Sequence, residues 1–389
     1  MTEPNPATAA VRAGLASDPS HHAVVPPIYL STNYVFTSPG ESHGYEYSRS
    51  ANPTRQAFAS AVAGLEGAAN AVIASSGMGA VNTVLHALSA PGDVVVAPFD
   101  CYGGSWRLLT ALAEKGLFEL VLVDFSDPAA LAAALARRPS QVWLETPSNP
   151  LLRITDIADV AAHAHAVGAL VVVDNTFASP VGQAPLRLGA DLVIHSTTKY
   201  INGHSDVIGG AIIAADPALH ERMDWWANTM GVTAGALDSY LALRGLRTLH
   251  VRMRAHEENA LALAKLAQGH PGVEAVYYPG LPDHPGHDIA VAQMSCFGGM
   301  LTVTVKHGRR GVDAFLDGLR YICLAESLGG VESLVAHPLT MTHAAMTADV
   351  AARAGLVDGM LRISVGIEDK DDLIADLSDA FDRVAALTD

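Results

Sequence analysis

The chain reads as an α/β protein, a mostly parallel sheet covered by helices on both faces, with a smaller α+β unit after it. Two observations predict this. From Ala57 onward, short runs rich in Val, Leu and Ile alternate with helical stretches, the pattern of βα units in a parallel sheet. Around Leu246 that alternation stops, and shorter strands in mixed order take over. At 389 residues the chain can bury a large core and divide it in two.

The first part, through YEYSRSANPTRQ, is rich in Pro, Ser, Asn and Tyr without sustained periodicity, so residues 1–56 are expected to form an extended arm. The large domain, expected over 57–248, opens with the helix FASAVAGLEG. The strand NAVIAS leads through the turn SSGMG into the helix AVNTVLHALS. Then come DVVVAP, a helix around SWRLLTALAEKG, FELVLVDF, the helix PAALAAALARR and QVWLET. The helix ITDIADVAAHAHAVG precedes LVVVDN, and DLVIHS runs into the polar turn TTKY. The second domain, expected over 249–389, starts with the long amphipathic helix HVRMRAHEENALALAKLAQ, which bridges the two units. VEAVYY, GGMLTVTV, the helix VDAFLDGLR, MLRISVG and the terminal helix DDLIADLSDAFDRVAAL complete it.

Composition narrows the function. A net charge of −16 argues against nucleic acid or an anionic membrane as partner, and no apolar run reaches the length of a membrane span. The start lacks the basic patch and apolar stretch of a signal peptide, so a cytoplasmic location is expected. Cys101, Cys296 and Cys323 show no paired spacing, which fits a reducing compartment. His163 with His165, and His284 with His287, lack carboxylate or cysteine company at ligand spacing, so they are expected at the surface or at helix ends rather than on a metal.

Lys199 and Asp174 carry the most chemistry. Each follows an apolar strand, so each is expected at the C-terminal edge of the sheet, where ligands bind in open α/β folds. An amine and a carboxylate in one cleft are what pyridoxal phosphate needs, the first to bind its aldehyde and the second to keep its ring nitrogen protonated. Most lysines are solvated surface charges, but Ser196 and Thr198 flank this one with hydroxyls suited to a phosphate. The turn Ser75–Gly79 between strand and helix offers backbone amides to the same anion. Tyr102 reaches the same edge and could stack on the cofactor. Arg362 interrupts an apolar strand in the second domain, a position suited to gripping a carboxylate or to an interdomain ion pair.

These positions lie within longer stretches that resemble the cystathionine γ-synthase branch of the Cys/Met-metabolism pyridoxal-phosphate enzymes. The stretches include YSRSANPTR, SSGMGA, APFDCYGGSWRL, ETPSNPLLRITDI, VVDNTFASP, HSTTKYINGHSDV, LAESLGGVESLVAHP and LRISVGIEDKDDLI, and they run almost end to end. The resemblance implies the fold-type I architecture, with a seven-stranded large-domain sheet. It implies that Lys199 links to the cofactor and shuttles protons, that Asp174 partners the ring nitrogen, and that Tyr102 stacks and takes part in catalysis. Ser76, Gly77, Met78, Thr176, Ser196 and Thr198 resemble cofactor-binding positions. Tyr47 and Arg49 match arm residues that complete a neighbouring subunit's phosphate site, with Tyr47 also near the substrate. That implies a homotetramer built as a dimer of catalytic dimers. Arg362, Ser327 and Asn149 match a clamp for the substrate α-carboxylate, and Glu326 resembles the acidic residue of the γ-synthase and γ-lyase branches. Arg107 lies where it could hold the far end of an acylated homoserine.

The reaction so implied is γ-replacement on an O-succinyl or O-acetyl L-homoserine by L-cysteine, giving L-cystathionine. The alternative is cystathionine γ-lyase activity, or both. A nucleotide-binding oxidoreductase is disfavoured, because no G-x-G-x-x-G turn with a following acidic residue comes after the first strand.

Overall fold

The computed structural model describes residues 4–15, 17–344 and 346–388. Its larger sheet comprises β1 Ala71–Ala74, β2 Val94–Pro98, β3 Glu119–Val123, β4 Gln141–Glu145, β5 Leu170–Asp174, β6 Leu192–Ser196 and β7 Gly210–Ala214. Their order is β1-β7-β6-β5-β4-β2-β3, the seven strands that the resemblance implied. Strands β2 to β6 pair in parallel, while β7 runs antiparallel to both β6 and β1. The sequence reading had not assigned β7. Its five residues follow the Lys199 turn with no helix between, so they fall outside the βα alternation. At its start Gly210 presses on β1, and a Cβ there would collide with the Ser76 carbonyl.

Helices α1 Pro6–Arg12 and α2 Pro53–Glu66 precede the sheet. Between its strands run α3 Gly77–Leu88, α4 Gly103–Glu114, α5 Pro128–Leu135, α6 Ile157–Ala166 and the short α7 Ser179–Gly182; α8 Pro217–Met230 and α9 Ala236–Leu246 follow it. Side chains alternate across each strand. Val171 and Val173 of β5 therefore join the core under α2, α5 and α6, whereas Val172 joins the core under α3, α4 and α8. Asp174, two residues past Val172, falls on the α3 and α4 side.

The second unit has a five-stranded sheet in the order β10-β11-β12-β9-β8. It is built from α10 Leu249–Ala267, β8 Val273–Tyr277, α11 His287–Gln293, β9 Met300–Val305, α12 Gly308–Leu316, β10 Cys323–Leu324, β11 Leu334–Ala336, α13 Ala348–Arg353, β12 Met360–Ser364 and α14 Lys370–Ala385. Its apolar core gathers residues of α10, α12, α14 and the sheet.

Three expectations need adjusting. The arm is not wholly extended: Asn5 caps α1 and Pro6 occupies its first turn, a strong local start signal. Helix α3 begins at Gly77, inside the expected turn, because Ser76 caps it. His284 is buried rather than at the surface, with Nε2 on the Leu152 carbonyl at 2.9 Å. Among the described residues no three of His, Cys, Asp or Glu gather as metal ligands, and no helix is long and apolar enough to cross a membrane.

Candidate active site

Lys199 stands in the turn after β6, its amide bonded to the Ser196 carbonyl at 3.2 Å. Its Nζ donates to Ser327 Oγ at 2.7 Å. Burial holds the amine down to a pKa of about 8, the Arg362 charge pushes the same way, and Glu326 opposes them. A neutral fraction therefore exists near neutral pH that a solvated lysine would lack.

Asp174 ends β5 beside Glu145, its register partner at the end of β4. Asp174 accepts the Thr176 N–H at 3.0 Å, and Thr176 Oγ1 accepts the Ser196 N–H at 2.9 Å, tying the ends of β5 and β6 together. Burial raises the Asp174 pKa, against the Thr176 hydrogen bonds and the nearby His195. Burial and the Asp174 charge push Glu145 well above the usual carboxylate range. Glu145 was missed by the sequence reading. Its Oε2 accepts the Tyr102 N–H at 2.8 Å and its Oε1 the Asn149 N–H at 2.9 Å, so one carboxyl fixes two loops.

The N-terminus of α3 meets the end of β6. Ser76 Oγ accepts the Gly79 N–H at 2.9 Å, while the amides of Gly77 and Met78 have no acceptor within the helix. A Cβ on Gly77 would lie 2.8 Å from Ser196 Cβ, so glycine lets the helix end meet the β6 turn. Thr198 Oγ1 accepts the Gly209 N–H at 3.0 Å and so faces its own loop. Tyr102 precedes α4 and is 41% exposed. A Cβ on Gly104 would press on both the Tyr102 ring and Met78 Sδ, which places ring and helix end side by side.

Arg362 is 3% exposed on β12. Its Nη1 donates to Asn149 Oδ1 at 3.1 Å and its Nη2 to the Ser327 carbonyl at 2.8 Å; Nε is buried with no partner among the described residues. Ser327 thus meets the lysine through its hydroxyl and the arginine through its carbonyl. It does so at φ +82°, a strained backbone for serine, of the kind that clusters at functional sites. His343, also missed from sequence, donates from Nε2 to the Asn149 carbonyl at 3.1 Å.

Four expected site residues lie outside this cluster of bonds. Glu326 is exposed next to Ser327, and Arg107 is exposed on α4. Arg49 donates to the carbonyl and side-chain oxygens of Asn228, at 2.6 and 2.8 Å, and packs on the exposed Tyr47 ring. No hydrogen bond among the described residues joins Arg107, Glu326, Tyr47 or Arg49 to Lys199 or Arg362.

Two buried histidines are expected to lower stability in acid. Burial holds both His343 and His256 down to about 4, with the Arg362 and Arg252 charges respectively pushing the same way. The unfolded chain, at about 6.5, takes up these protons first. The stability these two histidines contribute is therefore present above pH 6.5 and is expected to be lost as pH falls toward 4, by up to about 3 kcal/mol per histidine. The thermal midpoint is expected to drop between pH 6.5 and 4.5, and to drop less in His343→Gln; parallel curves for variant and parent would contradict this.

A family model for Cys/Met metabolism PLP-dependent enzymes matches residues 7–382. The chain belongs to this family. It is 52% identical over 375 residues to the cystathionine gamma-synthase of Escherichia coli (strain K12), covering 96% of this chain and 97% of that one. It is 46% identical over 387 residues to the cystathionine gamma-lyase of Dictyostelium discoideum, covering 98% and 100%. The crystal structure of cystathionine gamma synthase from Xanthomonas oryzae pv. oryzae in complex with cystathionine matches with a TM-score of 0.98 at 57% identity, over 99% of this chain and 100% of that one. The fold is thus fold type I, and the family's cofactor is pyridoxal 5′-phosphate.

The residues present fit that cofactor. Asp174 has no ion-pair partner among the described residues, and a buried carboxylate lacking one is costly unless a cation reaches it. A protonated ring nitrogen is such a cation. The helix end at Gly77 and Met78 offers free amides to a phosphate. The Lys199 amine, held at a lowered pKa, would supply a nucleophile for the aldehyde.

Proposed function

We propose that the chain catalyses γ-replacement on an O-acyl-L-homoserine by L-cysteine. The Cγ–O bond breaks, a Cγ–S bond forms, and the products are L-cystathionine and the free carboxylic acid. One observation carries the placement of the chemistry. The Lys199 amine and the Arg362 guanidinium converge on Ser327, at 2.7 and 2.8 Å, so an amino acid held by its carboxylate lies next to a base. Similarity to named γ-synthases supports the choice of reaction.

When bound, pyridoxal phosphate supplies an electron sink for the charge left as a proton leaves the substrate Cα. Ser76, Gly77, Met78, Thr176, Ser196 and Thr198 would hold it, with Asp174 at the ring nitrogen and Tyr102 over the ring face. Arg362 grips the α-carboxylate, its unpartnered Nε adding a donor, while Asn149 and Ser327 each hold one Nη and so fix the plane of the guanidinium. Lys199 Nζ takes the Cα proton and returns protons to the product; the amine can do so because burial leaves part of it neutral. Tyr102 lends its hydroxyl as a second group for proton transfer. Glu326 faces the substrate side of Lys199, and Arg107 meets the acyl end.

The arm completes a second subunit. Val24, Leu30 and Val35 are 71%, 74% and 83% exposed, apolar side chains left open along the arm for another copy of this chain to cover. Tyr47 and Arg49 of residues 1–56 would then enter the neighbour's phosphate site, with 57–248 and 249–389 as the two domains of each subunit. The assembly is a tetramer of two catalytic dimers, in the cytoplasm.

The test compares kcat/KM for O-succinyl- and O-acetyl-L-homoserine with L-cysteine against L-cystathionine alone. Replacement is expected to dominate, with cystathionine and carboxylic acid formed one to one. Faster cleavage of cystathionine to cysteine, 2-oxobutyrate and ammonia would make the chain a γ-lyase.

A further inference from the structure

Helix α10 carries polar residues on the face it buries. Arg252, His256 and Asn259 stand at i, i+4 and i+7, one above another, and all three are buried. Arg252 donates from Nη1 to the Tyr200 carbonyl at 2.7 Å and from Nη2 to the carbonyls of Gly245 at 2.8 Å and Ile201 at 3.3 Å. Its Nε donates to Thr248 Oγ1 at 3.2 Å. Among the described residues it has no carboxylate partner, so a full charge is buried on carbonyl and hydroxyl oxygens alone. Gly203, at φ +70°, completes the fit, since a Cβ there would overlap the guanidinium.

One turn along, His256 donates from Nδ1 to the Val365 carbonyl at 2.7 Å, and its ring meets Tyr200 edge-on with centroids 5.1 Å apart. Asn259 Nδ2 donates to the carbonyls of Gly366 at 3.1 Å and Glu368 at 2.9 Å. One end of the ladder thus holds the two residues that follow Lys199. The other end holds the segment that leaves β12, the strand of Arg362.

We infer that Arg252, His256 and Asn259 are positioning residues that fix the separation of Lys199 from Arg362, and with it the alignment of the amino acid held between them. This rests on the roles proposed above for those two residues. Buried polar groups on this helix are costly to keep, His256 Nε2 having no hydrogen-bond partner among the described residues, and nearly every bond that is made goes to backbone flanking the site. The side chains therefore set where the two sheets stand relative to each other.

A double-mutant cycle tests the ladder. His256→Phe keeps a ring against Tyr200 and removes the bond to Val365. The dissociation constant of L-norvaline, an amino acid without a leaving group, is read from the absorption of the bound cofactor in the holoenzyme. It is expected to rise about 10-fold in His256→Phe and about 100-fold in Arg362→Ala. The double variant should bind no worse than Arg362→Ala alone, because the histidine acts through the guanidinium. Additive losses, or unchanged binding in His256→Phe, would overturn the inference; a merely structural histidine would lower the thermal midpoint without this coupling. Should His256→Phe fail to fold, Asn259→Leu enters the same cycle with the same criterion. Binding is read without turnover, so a parent enzyme that binds norvaline but lacks replacement activity refutes the proposed reaction and leaves the ladder testable.

Discussion

Lys199→Ala is expected to lower turnover roughly 10,000-fold while leaving the protein folded. In the proposed reaction the amine serves as nucleophile toward the cofactor and as base at Cα, so both functions go together. The fold survives because the side chain contributes little: its charged form is already disfavoured by burial and by the Arg362 charge. Removing it is expected to leave the thermal midpoint of the cofactor-free protein unchanged or higher. Steady-state rates with saturating pyridoxal phosphate check the first part, and calorimetry the second. Turnover within tenfold of the parent would refute the role of Lys199. The same variant tests the arm. Hybrids of Lys199→Ala with Arg49→Ala subunits should regain activity, because one site of each mixed dimer carries neither lesion; absence of recovery would remove Arg49 from the neighbour's site.

Arg362→Ala is expected to raise KM for the acyl-homoserine about 100-fold, with a smaller change in kcat and an unaltered cofactor absorption. The guanidinium spends Nη1 on Asn149 and Nη2 on Ser327, and keeps Nε for a ligand. Truncation removes the carboxylate contact and leaves two acceptors without their donor. Arg362→Lys should rescue little, since a point charge cannot reproduce the fork. Loss of the cofactor with KM unchanged would instead make this arginine a structural one.

Much of this site was legible because its polar groups interrupt apolar runs. Asp174 ends LVVVD, Lys199 follows LVIHSTT, and Arg362 breaks MLRIS. Glu145 ends QVWLE in the same way, yet its partners are the backbone amides of Tyr102 and Asn149, which leave no mark in the sequence. His343 lies in a loop without periodicity, so nothing in its neighbourhood distinguishes it. The meeting of Lys199 with Ser327 depends on how two sheets dock, which strand patterns do not encode. Strand β7 escaped for a topological reason: an antiparallel return needs no crossover helix, and the alternation that reveals parallel strands is then missing.

That antiparallel return has a consequence for assembly of the protein. Ser76 and Ser196 belong to remote stretches of chain, and β7 is the ribbon hydrogen-bonded between the strands that deliver them. If both serines hold the cofactor as proposed, vitamin B6 is expected to bind only once β7 has paired with both of its neighbours. Uptake of the cofactor by a refolding chain would then report the pairing of β1, β7 and β6, not the docking of one loop.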